Sequence, residues 1–163
     1  MADAEDAWKS LSQVNDWIKV ADTKAGVVLS ACGVLGGAVL HGMPPQPQWA
    51  GHPWKAGLLL CALALACASA LMSLQVFAPR LKAGEPTSLL YFDHIARGYA
   101  RPAEFSRHYL RMLDADDRLR AALAEQVWAT STVARRKFRR VTPAVWLFGA
   151  GLLLAGGAGL VPA

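Results

Sequence analysis

The stretch AGLLLCALALACASALMSLQVFA, residues 56–78, holds no Asp, Glu, Lys or Arg across 23 positions. As a helix rising about 1.5 Å per residue it covers about 34 Å, enough to cross roughly 30 Å of hydrocarbon. Two more stretches share its character: AGVVLSACGVLGGAVLHGM at 25–43 and AVWLFGAGLLLAGGAGLV at 144–161, of 19 and 18 residues. Both are short for a span and call for snorkelling ends or slight bilayer thinning. A chain of 163 residues has too little polar structure to wrap three such helices in water. The reading is an all-α membrane protein with three transmembrane helices and a small cytoplasmic helical bundle.

The charge distribution orients it. Of the 17 Lys and Arg residues, 13 lie in 79–141, while the loop 44–55 has only Lys55. Basic segments stay on the cytoplasmic side of a plasma membrane. The expected order is a cytoplasmic amphipathic helix (1–24), a first span (25–43), an external loop (44–55) and a second span (56–78). A cytoplasmic helical region (79–141) follows, then a third span with a short external C-terminus (142–163). Asp3, Glu5, Asp6, Asp16 and Asp22 occupy the first 24 residues, which do not read as a basic-led signal peptide. The net charge of +5 suits contact with anionic lipid. No nucleic acid is expected as a partner, because no recognition motif accompanies the basic cluster. Cys32, Cys61 and Cys67 all fall inside spans and read as small apolar packing residues.

Helical periodicity fills in the rest. Trp8, Leu11, Val14, Ile18, Ala21 and Ala25 make one face of a helix running from about Ala4 into the first span. Arg80 and Lys82 would anchor the second span beyond Pro79. Residues 89–96 form either a short helix capped by Thr87 or Ser88 or an extended piece, ending at Gly98. Pro102 suits a first helical turn, with Phe105, Tyr109, Met112 and Leu113 on one face. A long helix starts near Asp114 or Asp116, striped by Leu119, Leu123, Val127, Thr130, Ala134, Phe138 and Val141. At Thr142-Pro143 the spacing predicts a restart or kink, with Thr as cap and Pro at the first position. The N-terminal helix and the long helix are expected to pair.

Small residues recur in the spans: Gly33 and Gly37, then Ala62, Ala66 and Ala70, then Gly149, Gly151, Gly156, Gly157 and Gly159. They allow close backbone approach, either among the three spans or in a homo-oligomer. Asp22 and Lys24 border the first span, where they either snorkel or pair with another helix to lock a closed state. An enzyme is not expected. His41, His52, His94 and His108 show no metal-ligand spacing, no nucleophile motif is present, and the spans hold no Asp, Glu, Lys or Arg for proton work.

Three blocks together resemble the Pycsar effector transmembrane family. They are Trp17-Ile18-Lys19-Val20-Ala21-Asp22-Thr23-Lys24-Ala25-Gly26, Leu90-Tyr91-Phe92-Asp93-His94-Ile95-Ala96, and Leu123-Ala124-Glu125-Gln126-Val127 followed by Ala134-Arg135-Arg136-Lys137-Phe138. Their order and spacing agree with the family from about Trp8 to Val145. The resemblance implies bacterial anti-phage defence. A separate cyclase would make cyclic CMP or cyclic UMP, and the membrane effector would respond by impairing the inner membrane. The cyclic pyrimidine nucleotide would be an activating ligand, with no cofactor and no metal.

A cyclic nucleotide offers one phosphate anion and a flat base, which call for Arg or backbone amides and an aromatic face. Only 91–111 mixes these residue types densely. Arg97, Arg101, Arg107 and Arg111 lie near Tyr91 and His94, with Phe92, Tyr99 and Tyr109 between them. These six, Tyr91, His94 and the four arginines, are the candidate ligand-binding residues. The plainer reading has the arginines on a solvated face and the rings in a core. The alternative function is a membrane scaffold recruiting a partner through the basic bundle.

Overall fold

A computed structural model describes residues 4–46, 49, 51–78 and 88–160. Its order is α1 (Ala4–Gly42), α2 (Pro53–Phe77), α3 (Phe92–Gly98), α4 (Pro102–Leu113) and α5 (Asp116–Leu160). The protein is all-helical, and α1, α2 and α5 are each long and apolar enough to cross a membrane. Pro79, Arg80, Lys82, Thr87 and the C-terminal Pro162–Ala163 lie outside the described residues.

The chain divides into two compact units. One comprises Met1–Lys19 and Pro79–Arg135, the other Val20–Ala78 and Arg136–Ala163. In the first, Leu11 of α1, Met112 of α4 and Leu119 and Leu123 of α5 form a core, with Leu123 fully buried. Leu119 and Leu123, four residues apart, present one face of α5 to this core. α4 is the most amphipathic helix: Met112 is buried, Phe105 and Tyr109 half-buried, and Arg107 and Arg111 exposed. Trp8 and Leu113 depart from their stripes and stand exposed.

In the second unit, α1, α2 and α5 meet in three layers. Leu35 and Val39 pack with Leu59, Ala62, Ala66 and Ala158. Val28 and Cys32 pack with Ala144. Ala21 and Ala25 pack with Val76 and Val141. Rising numbers on α1 and α5 match falling numbers on α2, so α2 runs antiparallel to the other two. Only 28%, 28% and 22% of the three apolar windows are buried within the protein. Most of their surface therefore needs a hydrocarbon solvent, or other protein in it. Cys32 is buried, whereas Cys61 and Cys67 are exposed and do not pack into this interior.

The small residues do unequal work. Gly151 is buried where α5 crosses α2, and a Cβ there would lie 3.2 Å from the Ala62 carbonyl oxygen. At Gly33, Gly37, Gly149, Gly156 and Gly157 a Cβ would meet nothing within 4 Å.

One local expectation is overturned and another is narrowed. The segment before Gly98 takes Tyr91, not Thr87 or Ser88, as N-cap, and no side chain caps it. Nor does α5 restart at Thr142: it runs unbroken through Pro143. Proline removes the amide that would bond the Arg139 carbonyl, a cost of about 3 kcal/mol in a helix interior. Within a membrane bundle, neighbouring helices compensate for such a break. The Ser69 hydroxyl of α2 donates to the Ala144 carbonyl at 2.7 Å; this does not replace the lost Arg139 bond, but it ties α2 to α5 one residue beyond the proline. Ser69→Ala is expected to cost the bundle about 0.6–1.7 kcal/mol. Unfolding of the full protein in mixed micelles by titrated denaturing detergent measures this, and an unchanged midpoint would remove the bond from the account.

Candidate functional site

Tyr91 and His94 come together at the start of α3, in the first unit. Their rings meet edge-on with centroids 5.0 Å apart, and Phe92 tilts against Tyr91 at 4.9 Å. His94 Nδ1 accepts the Ser88 N–H at 3.1 Å, which leaves the neutral ring's proton on Nε2. The Ser88 hydroxyl donates to Gln126 Oε1 at 3.3 Å and accepts the Leu90 N–H at 3.2 Å. Ser88 thus ties α3 to α5 and sets the imidazole's orientation. Neither Ser88 nor Gln126 was a candidate from sequence: 38 residues separate them, and no local pattern predicts that they touch.

The four arginines are exposed and differ in circumstance. Arg97 lies one turn beyond Asp93, with Nη1 3.6 Å from Asp93 Oδ2. Asp93 is 9% exposed and its Oδ2 accepts no hydrogen bond, making it the buried anion of this segment. Arg101 occupies the N-cap position of α4. Arg107 donates through Nε to the Ala103 carbonyl at 3.3 Å, and Arg111 follows one turn later on the same face. Among the described residues, no hydrogen bond or ring contact joins Arg101, Arg107 or Arg111 to Tyr91 or His94. A second aromatic group borders α4: Tyr99 contacts Phe105 and His108 at 5.5 and 5.6 Å, and Phe105 stacks on Tyr109 at 5.3 Å. Chemically, the segment offers a paired cationic face on α4 beside two sets of rings. Among the described residues no three His, Cys, Asp or Glu side chains converge as a metal site would need.

A second polar constellation lies in the other unit, where α1 enters its apolar run. Asp22 of α1 makes an ion pair with Lys137 of α5. Lys24 stands 5.8 Å from the centroid of the Phe138 ring, a cation–π distance. Arg140 donates to the Gln75 carbonyl of α2 at 2.9 Å. All three helices are thereby linked through polar side chains at the level of the Ala21, Ala25, Val76 and Val141 layer. Sequence placed Asp22 and Lys24 at a membrane border and marked Lys137 and Phe138 in a family block; that they pair, across more than 110 positions, had no signature.

Comparison with known proteins places the chain as a whole. The model of the PycTM family, described as the Pycsar effector protein domain, matches residues 6–162. The Pycsar effector protein PtPycTM of Propioniciclava tarda is 30% identical over 142 residues, covering 82% of this chain and 67% of the relative. The Pycsar effector protein MePycTM of Micromonospora echinofusca is 56% identical over 43 residues, covering 26% of this chain and 73% of the relative. No solved structure matches. A match extending from the first turns of α1 to the end of α5 takes in both units, and the chain belongs to the Pycsar effector family.

Proposed function

We propose that this protein is a non-enzymatic membrane effector of anti-phage defence. A cyclic pyrimidine nucleotide, cyclic CMP or cyclic UMP, made by a separate cyclase activates it to impair the inner membrane. The family match over residues 6–162 carries the reading, and three membrane-crossing helices in the chain support it. The N-terminus and residues 79–141 face the cytoplasm, where the nucleotide is made, and the active species is a homo-oligomer. Open glycines at 33, 37, 149, 156 and 157 support the last point, since they leave close-approach surface unused within one chain.

Recognition is assigned to the α3–α4 segment. Arg107 and Arg111 share one face and, with Arg101, supply cations for the phosphate, while Tyr91 and His94 offer ring faces for the base. Arg97 contributes less, because Asp93 already neutralises it. Ligand activates only if it binds the active arrangement more tightly than the resting one.

Calorimetry on the solubilised full chain with cyclic CMP, UMP, AMP and GMP is the test, followed by dye release from liposomes. Saturable binding of one pyrimidine nucleotide with ligand-dependent leak is expected. Each lost charge-assisted contact is worth about 1.5–3 kcal/mol, so Arg101→Ala with Arg107→Ala should weaken binding at least about tenfold. Wild-type affinity in that double variant would move the site elsewhere. Binding without leak would favour the scaffold.

A further inference from the structure

We propose that the membrane unit holds one anionic phospholipid in a groove bordered by the C-terminal end of α1, the N-terminal end of α2 and the C-terminal end of α5. An acyl chain lies against Leu35, Val39, Leu59, Ala155 and Ala158, and the phosphate sits on Lys55. The groove encloses about 300 Å³, and Lys55 is its sole charged lining residue. That volume equals about ten waters' share of liquid, yet an apolar lining does not hold water. Hydrocarbon is the solvent at hand.

Lys55 supplies the second half of the argument. It is half-buried, and among the described residues it makes no hydrogen bond or ion pair. An ammonium with three donors at the boundary of an apolar helix needs an anion. A second copy of this chain would not supply a side-chain carboxylate at that level, because residues 25–78 and 142–163 contain no Asp or Glu. The first turn of α2 has no acidic residue and no side-chain cap at His52, so its open amides add donors on the same side. The membrane's own phosphates are the available counter-charge.

Native mass spectrometry of the full chain from detergent, with phosphatidylglycerol or phosphatidylcholine added, tests the site. One phosphatidylglycerol per chain should be retained in preference to phosphatidylcholine. Lys55→Ala should weaken retention about fivefold, the equivalent of about 1 kcal/mol for one cation at a lipid surface, and Lys55→Arg should keep it. Gly159→Leu should expel the lipid with Lys55 intact, since a Cβ at Gly159 meets nothing within 4 Å and the side chain enters the groove. Circular dichroism should show all three variants as helical as wild type. Inorganic phosphate alone should not compete. Equal retention by Lys55→Ala, indifference to headgroup, retention in Gly159→Leu, or displacement by inorganic phosphate would each overturn the proposal. Dimers forming in place of a lipid adduct would assign the groove to a second copy.

Discussion

Gly151→Leu is expected to destroy the packing of the membrane unit and, with it, all effector activity. A Cβ at position 151 would sit 3.2 Å from the Ala62 carbonyl oxygen, 3.4 Å from Leu65 Cβ and 3.7 Å from the Ala66 nitrogen. Two of these three atoms belong to the α2 backbone, which cannot swing aside as a side-chain tip can. Leucine adds three carbons beyond that Cβ, so α2 and α5 must separate. Separation empties the contacts of Ala62 and Ala66, both nearly fully buried, and breaks the Ser69–Ala144 bond. Overpacking costs about 1–3 kcal/mol in tolerant cores. The upper end of that range is expected here, because spans cohere through close packing and interhelical hydrogen bonds and this separation loses both. Gly156→Leu is the control, a position that is exposed with nothing within 4 Å. Detergent-titrated unfolding of both variants at equal expression gives the answer: a lower midpoint for the first and an unchanged one for the second. Equal midpoints would show that α2 and α5 do not approach at Gly151. An active wild type beside a stable but inactive Gly156→Leu would place a contact with another copy at that glycine.

The same positions show what composition can reveal. Three uncharged stretches announce three membrane helices because burying charge in hydrocarbon is so unfavourable that its absence over 18–23 residues is itself a signal. The Leu119–Leu123 stripe was legible for a similar reason: periodicity and burial are linked through helix geometry. Which glycine packs was not legible. Gly149, Gly151, Gly156, Gly157 and Gly159 look alike in sequence, and only the crossing with α2 singles out Gly151. At Pro143 the sequence left a restart and a kink open, and only the restart is excluded, because α5 continues through the proline. In the α3–α4 segment the residue types were evident. The arrangement was not, since the Ser88–His94–Gln126 links and the Asp93–Arg97 pair depend on tertiary placement of a seven-residue helix.

Charge at Asp22 is expected to set the balance between quiet and leaking states. Lys137 and Asp22 have side chains 21% and 33% exposed, so the pair is screened less than a surface bridge. Removing the carboxylate leaves a partly desolvated ammonium without its counter-ion, a loss of about 1–3 kcal/mol between the surface and buried limits. Asp22→Lys adds repulsion between two cations at the same spot. The nearby Lys24 offers no relief, being of the same sign and placed over Phe138. Because the pair links α1 to α5 beside the Ala21, Ala25, Val76 and Val141 layer, its loss frees the two helices to separate there. A shift of 1–3 kcal/mol changes a two-state population about 5- to 150-fold. The expected result is dye release from liposomes without nucleotide for Asp22→Lys, weaker release for Asp22→Asn, and restored quiet for Asp22→Lys combined with Lys137→Asp. Rescue by the swapped pair separates a clasp from a general requirement for an acid at position 22. If Asp22→Lys stays silent without nucleotide and leaks normally with it, the ion pair is a packing detail and the resting state is held by the apolar layers alone.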